Sequence, residues 1–156
     1  MSDLVIGFEA QEIQTSSSTR SARLKWVIVV DPDLPVGRMM NAAVCVAAAT
    51  AQAVPGQFGP ERIDGAGSAH AGLPWAGCSV LAAEAATLQR IRTSAAAHSD
   101  VYVADMPLAA QETRVYDDYL SRLGGLAPDQ IVYAAISLVG PRKRVDRIVG
   151  GLKLLT

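Results

Sequence analysis

Apolar positions recur along this chain in two rhythms. Largely apolar runs at 24–30, 78–82, 100–104 and 131–139 predict four strands, and each is followed by a stretch with helical spacing. The run from Trp26 to Val30 has no polar face, which predicts a central strand covered on both sides. It breaks at Asp31-Pro32-Asp33, and an alanine-rich helix is expected from Gly37 to Val54, stopped by Pro55-Gly56. A strand–loop–helix of this kind is where α/β proteins place ligands, because loop amides and the positive helix end converge there.

The remaining elements follow the same logic. Segment 55–76 is rich in Gly and Pro and predicts a loop insertion with a short hairpin around Asp64-Gly65. A helix over 84–97 places Leu88, Ile91 and Ala95 on one face. The third strand is expected to end at Asp105-Met106, with Pro107 opening a helix over 107–123 that buries Tyr116, Tyr119, Leu120 and Leu123 before Gly124-Gly125. Gly140-Pro141 opens a last helix to about Val149, followed by the tail GGLKLLT. Residues 1–22 end in a polar run from Gln14 to Arg20 and read as a flexible lead-in to a single domain over 23–156. Strands alternating with helices imply a layered α/β fold with a mostly parallel sheet.

Composition narrows the classes of function. The chain has 156 residues, half of them hydrophobic and 19% charged, enough for one folded domain with a real core. A formal charge of −1 argues against a whole-surface attraction to nucleic acid or anionic membrane. Cys45 and Cys78 lack the number for a disulfide framework and the spacing for a metal, so neither metal nor cofactor is expected. The start, MSDLVIGFEA, shows no signal-peptide pattern, and the apolar stretch from Ala42 to Ala51 is about half of what spans a bilayer. A soluble, cytoplasmic protein is the expectation.

The stretch LKWVIVVDPDLPVGRMMNAAVCVAAA over 24–49 is similar to the opening of the type II peptidyl-tRNA hydrolases. SLVGPRKRVDRIVGGLKLL over 137–155 resembles the same family's last strand, Gly-Pro turn, helix and terminal Leu-Lys-Leu-Leu. An uncharacterised family, domain of unknown function 2000, resembles the chain throughout, including VVDPDLPVG, the loop from Asp64 to His70-Ala71-Gly72, and LVGPRK. The resemblance implies a three-layer α/β/α sandwich with a mixed, mostly parallel sheet of about four core strands. It also implies where a hydrolase site would lie, and there most of the chemistry is missing. The family's lysine falls on Met40, its glutamine on Val44, its histidine on Ala47 and its threonine on Ala109; Asp105 alone matches. Hydrolysis needs a positioned base and a stabiliser for the developing oxyanion, and Met, Val and Ala supply neither.

Several polar residues still offer chemistry. Arg38, Asn41, Cys45 and Gln52 share one helix face, beside the loop with Asp31 and Asp33. They read either as a site for a small anionic or amide-bearing ligand or as a solvated helix face with Cys45 in the core. Arg142 and Lys143, with Arg144 and Arg147, crowd a helix start where cations oppose the dipole, which suggests an anionic ligand or simple pairing with Asp31, Asp33 or Asp146. Asp105 orients a water or ligand amine, or else binds the backbone before Pro107. His70 follows Asp64 in a Gly-rich loop, where the pair serves acid–base work or plain loop packing, and Gln111 faces the cleft or solvent. His98 reads as a helix end at the surface. The leading expectation is a binding site built from Asp31, Asp33, Arg38, Asn41, Asp105, Arg142 and Lys143. The alternatives are an ester or amide hydrolase rewired around Asp105, Asn41, Arg38 and His70, and a homodimeric interaction module.

Overall fold

The computed structural model describes residues 5–156. The first apolar run forms β1 (Leu24–Val30), and helix α1 (Val36–Ala53) follows after the Asp31–Pro35 loop. A hairpin of two short strands, β2 (Arg62–Ile63) and β3 (Ala69–His70), interrupts the 55–76 insertion. Then come β4 (Ser79–Ala82), α2 (Ala85–Ala96), β5 (Tyr102–Pro107), α3 (Leu108–Glu112), α4 (Tyr116–Gly124), β6 (Tyr133–Pro141) and α5 (Arg142–Ile148).

The main sheet has the order β4-β1-β6-β5. Only β1 and β4 pair in parallel; β6 is antiparallel to both β1 and β5. The sheet is mixed, as expected, but mostly antiparallel rather than mostly parallel. The reason is positional. β1, β4 and β5 all run in one direction, as alternation with helices predicts, but the last strand inserts between β1 and β5 in the opposite sense. The two central strands are the most apolar, as a doubly covered position requires. The tail runs along the outer edge of β4, where the Ala82 amide donates to the Lys153 carbonyl and the Leu155 amide to the Val80 carbonyl, covering an otherwise open strand edge.

Alternation along β1 divides the core. Trp26, Ile28 and Val30 pack with Ala42 and Val46 of α1, whereas Val27 and Val29 pack with Leu88 and Ile91 of α2 and with Val145 of α5. Each fully buried Val, Leu or Ile contributes about 1.5–3 kcal/mol of transfer free energy, so both layers hold the sheet. Inside the α1 layer a short polar chain is buried: Trp26, Ser137 and Thr50 are hydrogen-bonded to one another.

Within the lead-in, whose polar run over 14–20 is exposed, Phe8 is buried, its ring lies 4.8 Å from that of Trp75, and its amide donates to the Pro55 carbonyl. Two further expectations change. The third strand does not stop at Ala104 but runs through Pro107. Pro107 lacks an N–H, yet β5 is an edge strand where a missing donor breaks no central ladder. The helix over 107–123 is two helices, α3 and α4, separated by extended backbone at Thr113 and Val115. The Thr113 hydroxyl donates to the Ala109 carbonyl and competes with helix continuation, while Asp117 and Asp118 favour a fresh N-terminus. As a result Tyr116 and Leu120 are exposed rather than buried.

Candidate functional site

The residues grouped by sequence separate into three places. β1 runs from Leu24, opposite Pro141, to Val30, opposite Ala135. Arg142 and Lys143 therefore sit at the start of β1, and the Asp31–Asn41 segment at its end. Seven strand residues put about 20 Å between them. Arg142 donates to the Thr19 and Ala22 carbonyls, not to Asp31 or Asp33. Lys143 is exposed. Asp146 pairs with Lys25 at 2.5 Å, and Arg144 with Asp100 at 3.1 Å and His98 Nδ1 at 3.2 Å.

Asp105 is displaced for a different reason. Because β5 continues past it, Asp105 obeys the strand's alternation. Ala104 and Met106 face α1, so Asp105 faces the α2 side, where its carboxylate accepts from Arg92 Nε at 3.0 Å. The retained acid of the hydrolase pattern thus lies across the sheet from α1. Its charge is felt by the nearby phenols: burial raises Tyr133, Tyr119 and Tyr102 above the ordinary tyrosine value, with Asp105 adding to it.

His70 lies on the exposed hairpin with Nε2 3.1 Å from Asp64 Oδ2. Asp64 is mainly a loop organiser. It accepts from the Ser68 and Ala66 amides, and the first of these, before the His70 contact, does most to hold its carboxyl below the usual range. No third metal-ligating side chain joins them among the described residues. Asp31 and Asp33 likewise shape a turn, the Asp31 carboxylate accepting the Asp33 amide at 3.0 Å.

What remains at the end of β1 is a cleft of about 340 Å³ between α1 and the α3–α4 corner. Asn41 and Cys45 form its α1 wall, Met106 and Ala110 its apolar floor, and Arg114, Tyr116 and Tyr119 the opposite side. Cys45 is therefore exposed, not a core residue. Tyr116 and Tyr119 meet edge to face with ring centroids 5.5 Å apart. Gln111 organises the α1 wall. Its Nε2 donates to the Arg38 carbonyl at 2.7 Å and to Asn41 Oδ1 at 3.2 Å. With Oδ1 occupied, Asn41 keeps its Nδ2 donors free of that bond. Gln111 Oε1 is buried with no donor among the described residues. Arg38 is exposed and is not among the residues lining the cleft, and Arg114 takes part in no ion pair among the described residues. The sequence pattern does not point to Arg114, Tyr116 and Tyr119, because it predicts one continuous helix over 107–123 where the α3–α4 break turns them to the cleft.

Apart from Asp105, the positions aligned with the hydrolase's polar residues carry apolar side chains. Met40 and Val44 are exposed apolar side chains on α1, and Ala109 is buried. Among the described residues no helix is long and apolar enough to cross a membrane.

A family described as a protein of unknown function, DUF2000, matches the chain over residues 24–156. A solved structure of a protein of unknown function from Agrobacterium tumefaciens strain C58 is similar with a TM-score of 0.77. It is 22% identical, and the match covers 86% of this chain and 98% of the other. At that identity the likeness speaks for the fold alone. No curated protein matches the chain.

Proposed function

The chain belongs to the DUF2000 family, which brings a fold and no assigned reaction, and on that premise we propose that it binds a small anionic molecule and does not hydrolyse peptidyl-tRNA. The observation that carries this reading is the Gln111–Asn41 bond. It fixes the Asn41 amide with its oxygen turned to Gln111, so the group offered to the α1–α4 cleft is a donor. Arg114 and the two phenols supply further donors, over an apolar floor of Met106 and Ala110. Donors around an apolar floor suit a carboxylate or acyl oxygen on a compact organic body. A ligand that carries both a carboxylate and an acyl oxygen, such as an N-acyl amino acid, fits this set of donors.

Two things speak against catalysis by the hydrolase mechanism. Asp105 engages Arg92 on the far face of the sheet, and Met40, Val44 and Ala47 occupy the other polar positions. The rewired-hydrolase alternative loses support for the same reason, since Asp105, His70 and Asn41 do not converge. The type II peptidyl-tRNA hydrolase-like sandwich remains the scaffold we propose, supported by sheet faces that both carry helices and by the ordered match at both ends of the domain.

Calorimetry with N-acetyl amino acids tests the reading. Saturable binding that Asn41→Leu and Gln111→Leu each weaken about tenfold is expected. Peptidyl-tRNA turnover that disappears in Asp105→Ala would overturn it.

A homodimer is the second reading, favoured by one observation. Val36, Met40 and Val44, spaced four apart on α1, are 70%, 56% and 62% exposed, and Arg38 is the helix's one charged residue. An uncharged helix face of this length is unusual at a free surface. Sedimentation velocity should show a dimer that Val44→Glu converts to monomer; a wild-type monomer at all concentrations excludes it.

A further inference from the structure

A second cavity, of about 500 Å³, lies at the other pole of the domain, where β1 begins. Its walls include Thr19, Arg20, Lys25, Cys78, Ser79 and Arg142. Three of these are cations and none is a carboxylate. Lys25 is bonded to Asp146 outside the lining, which leaves two positive charges with no acidic partner among the described residues. Arg142 spends Nη2 on the neutral Thr19 and Ala22 carbonyls, and its Nε is buried with no acceptor among the described residues. Buried donors of this kind are nearly always satisfied, and a guanidinium donor is satisfied best by an oxyanion. A concave site lined by one sign of charge also focuses its field and concentrates counter-ions.

The rest of the lining fits the same occupant. The Thr19 and Ser79 hydroxyls add donors beside the cations. Trp26 forms one wall, and because its indole N–H is spent on Ser137 it offers only apolar surface. Cys78 is exposed at the cavity wall and its thiol, raised by partial burial against the opposing backbone bond from Ile28, stays neutral and does not repel an anion. The lead-in segment supplies Thr19 and Arg20, and Arg142 holds that segment in place through the carbonyls it binds.

We propose that this cavity binds a small molecule bearing a compact anionic group, phosphate or carboxylate, with Arg20 and Arg142 as its main partners and Lys25 as the third cation. The site is independent of the α1–α4 cleft and shares no residue with it.

The test is calorimetry on the full chain with two probes, pyrophosphate and citrate, at low and moderate salt. One probe is expected to bind saturably, with affinity falling as salt rises. Arg20→Ala, an exposed residue whose loss leaves the core intact, is expected to weaken binding about tenfold, and Lys25→Gln to weaken it further. Arg142→Lys keeps the charge but loses the fork, and should also weaken it. Preference for pyrophosphate assigns a phosphate group, and preference for citrate a carboxylate. Failure of both probes to bind overturns the proposal. So does binding that survives Arg20→Ala and Lys25→Gln together, or binding that Asn41→Leu removes instead, since the anion would then occupy the other cleft.

Discussion

The indole Nε1 of Trp26 donates to the Ser137 hydroxyl at 2.8 Å, inside the layer between the sheet and α1. Ser137 lies 2.7 Å from the Thr50 hydroxyl, which donates to the Val46 carbonyl. An indole N–H can only donate and the Thr50 proton is committed, so Ser137 must donate to Thr50. The chain thus runs one way, from indole to helix carbonyl, with no donor left over. Ser137→Ala removes its middle link and strands both the indole N–H and a Thr50 lone pair. The expected cost is about 1–3 kcal/mol in urea unfolding. Trp26→Phe combined with Ser137→Ala should cost less than the sum of the two single changes, because the orphaned donor is gone. Strict additivity would mean the three side chains do not act as one network.

The lead-in is pinned by a bidentate ion pair, with Arg23 Nε 2.6 Å and Nη2 2.9 Å from the Glu12 carboxylate. The same guanidinium donates to the Gly7 carbonyl. The Arg23 bond, followed by the Glu9 backbone, lowers Glu12 from 4.5 to about 2. A depressed carboxyl stabilises the fold above its ordinary value and loses that contribution as pH falls through the folded one. The lead-in should therefore loosen between pH 4.5 and about 2. Hydrogen exchange of the Phe8 amide, which donates to the Pro55 carbonyl, reads this directly. Protection that stays level to pH 2 would refute it, and Glu12→Gln should reproduce the loosening at neutral pH.

Much of this architecture is legible in the sequence because it rests on local signals. β1 and α1 appear where the apolar run and the Pro55-Gly56 stop put them, and the hairpin forms around Asp64 as its turn residues require. Legibility fails where a residue's meaning depends on strand position. Pro107 reads as a helix start, but it also ends an edge strand, and that single difference turns Asp105 to the opposite face. The placement of β6 between β1 and β5 is a long-range pairing with no local mark, so the sense of the sheet was not readable. The candidate site suffers from both. Asn41 and Gln111 meet across α1 and α3 although they stand seventy residues apart, while Arg142 and Asp31, adjacent on a helical-start argument, lie at opposite poles.

The Arg92–Asp105 pair carries a prediction that separates stability from binding. Both side chains keep contact with solvent, 41% and 21% exposed, so the bond contributes only about 0.2–1 kcal/mol. Asp105→Asn should lower the unfolding midpoint by a correspondingly small amount and leave affinity for N-acetyl amino acids unchanged. A tenfold loss of affinity in this variant would return Asp105 to the α1–α4 cleft.

The insertion over 55–76 is held by a close backbone approach at Gly72, where an added Cβ would stand 1.9 Å from the Gly59 carbonyl oxygen. The Gly59 amide also donates to the Leu73 carbonyl at 2.9 Å, so neither strand of the loop can withdraw without breaking that bond. Gly72→Ala is expected to cost about 1–3 kcal/mol, the range for overpacking a fixed contact. Gly65, in the same insertion, has nothing within 4 Å of the corresponding position and no left-handed backbone. Gly65→Ala should therefore be neutral, or stabilise by about 0.4–1 kcal/mol through the unfolded chain alone. Thermal unfolding of the pair decides the matter. Equal midpoints would mean that the loop relaxes freely around Gly72, and that the Gly59–Gly72 approach does not hold the insertion together.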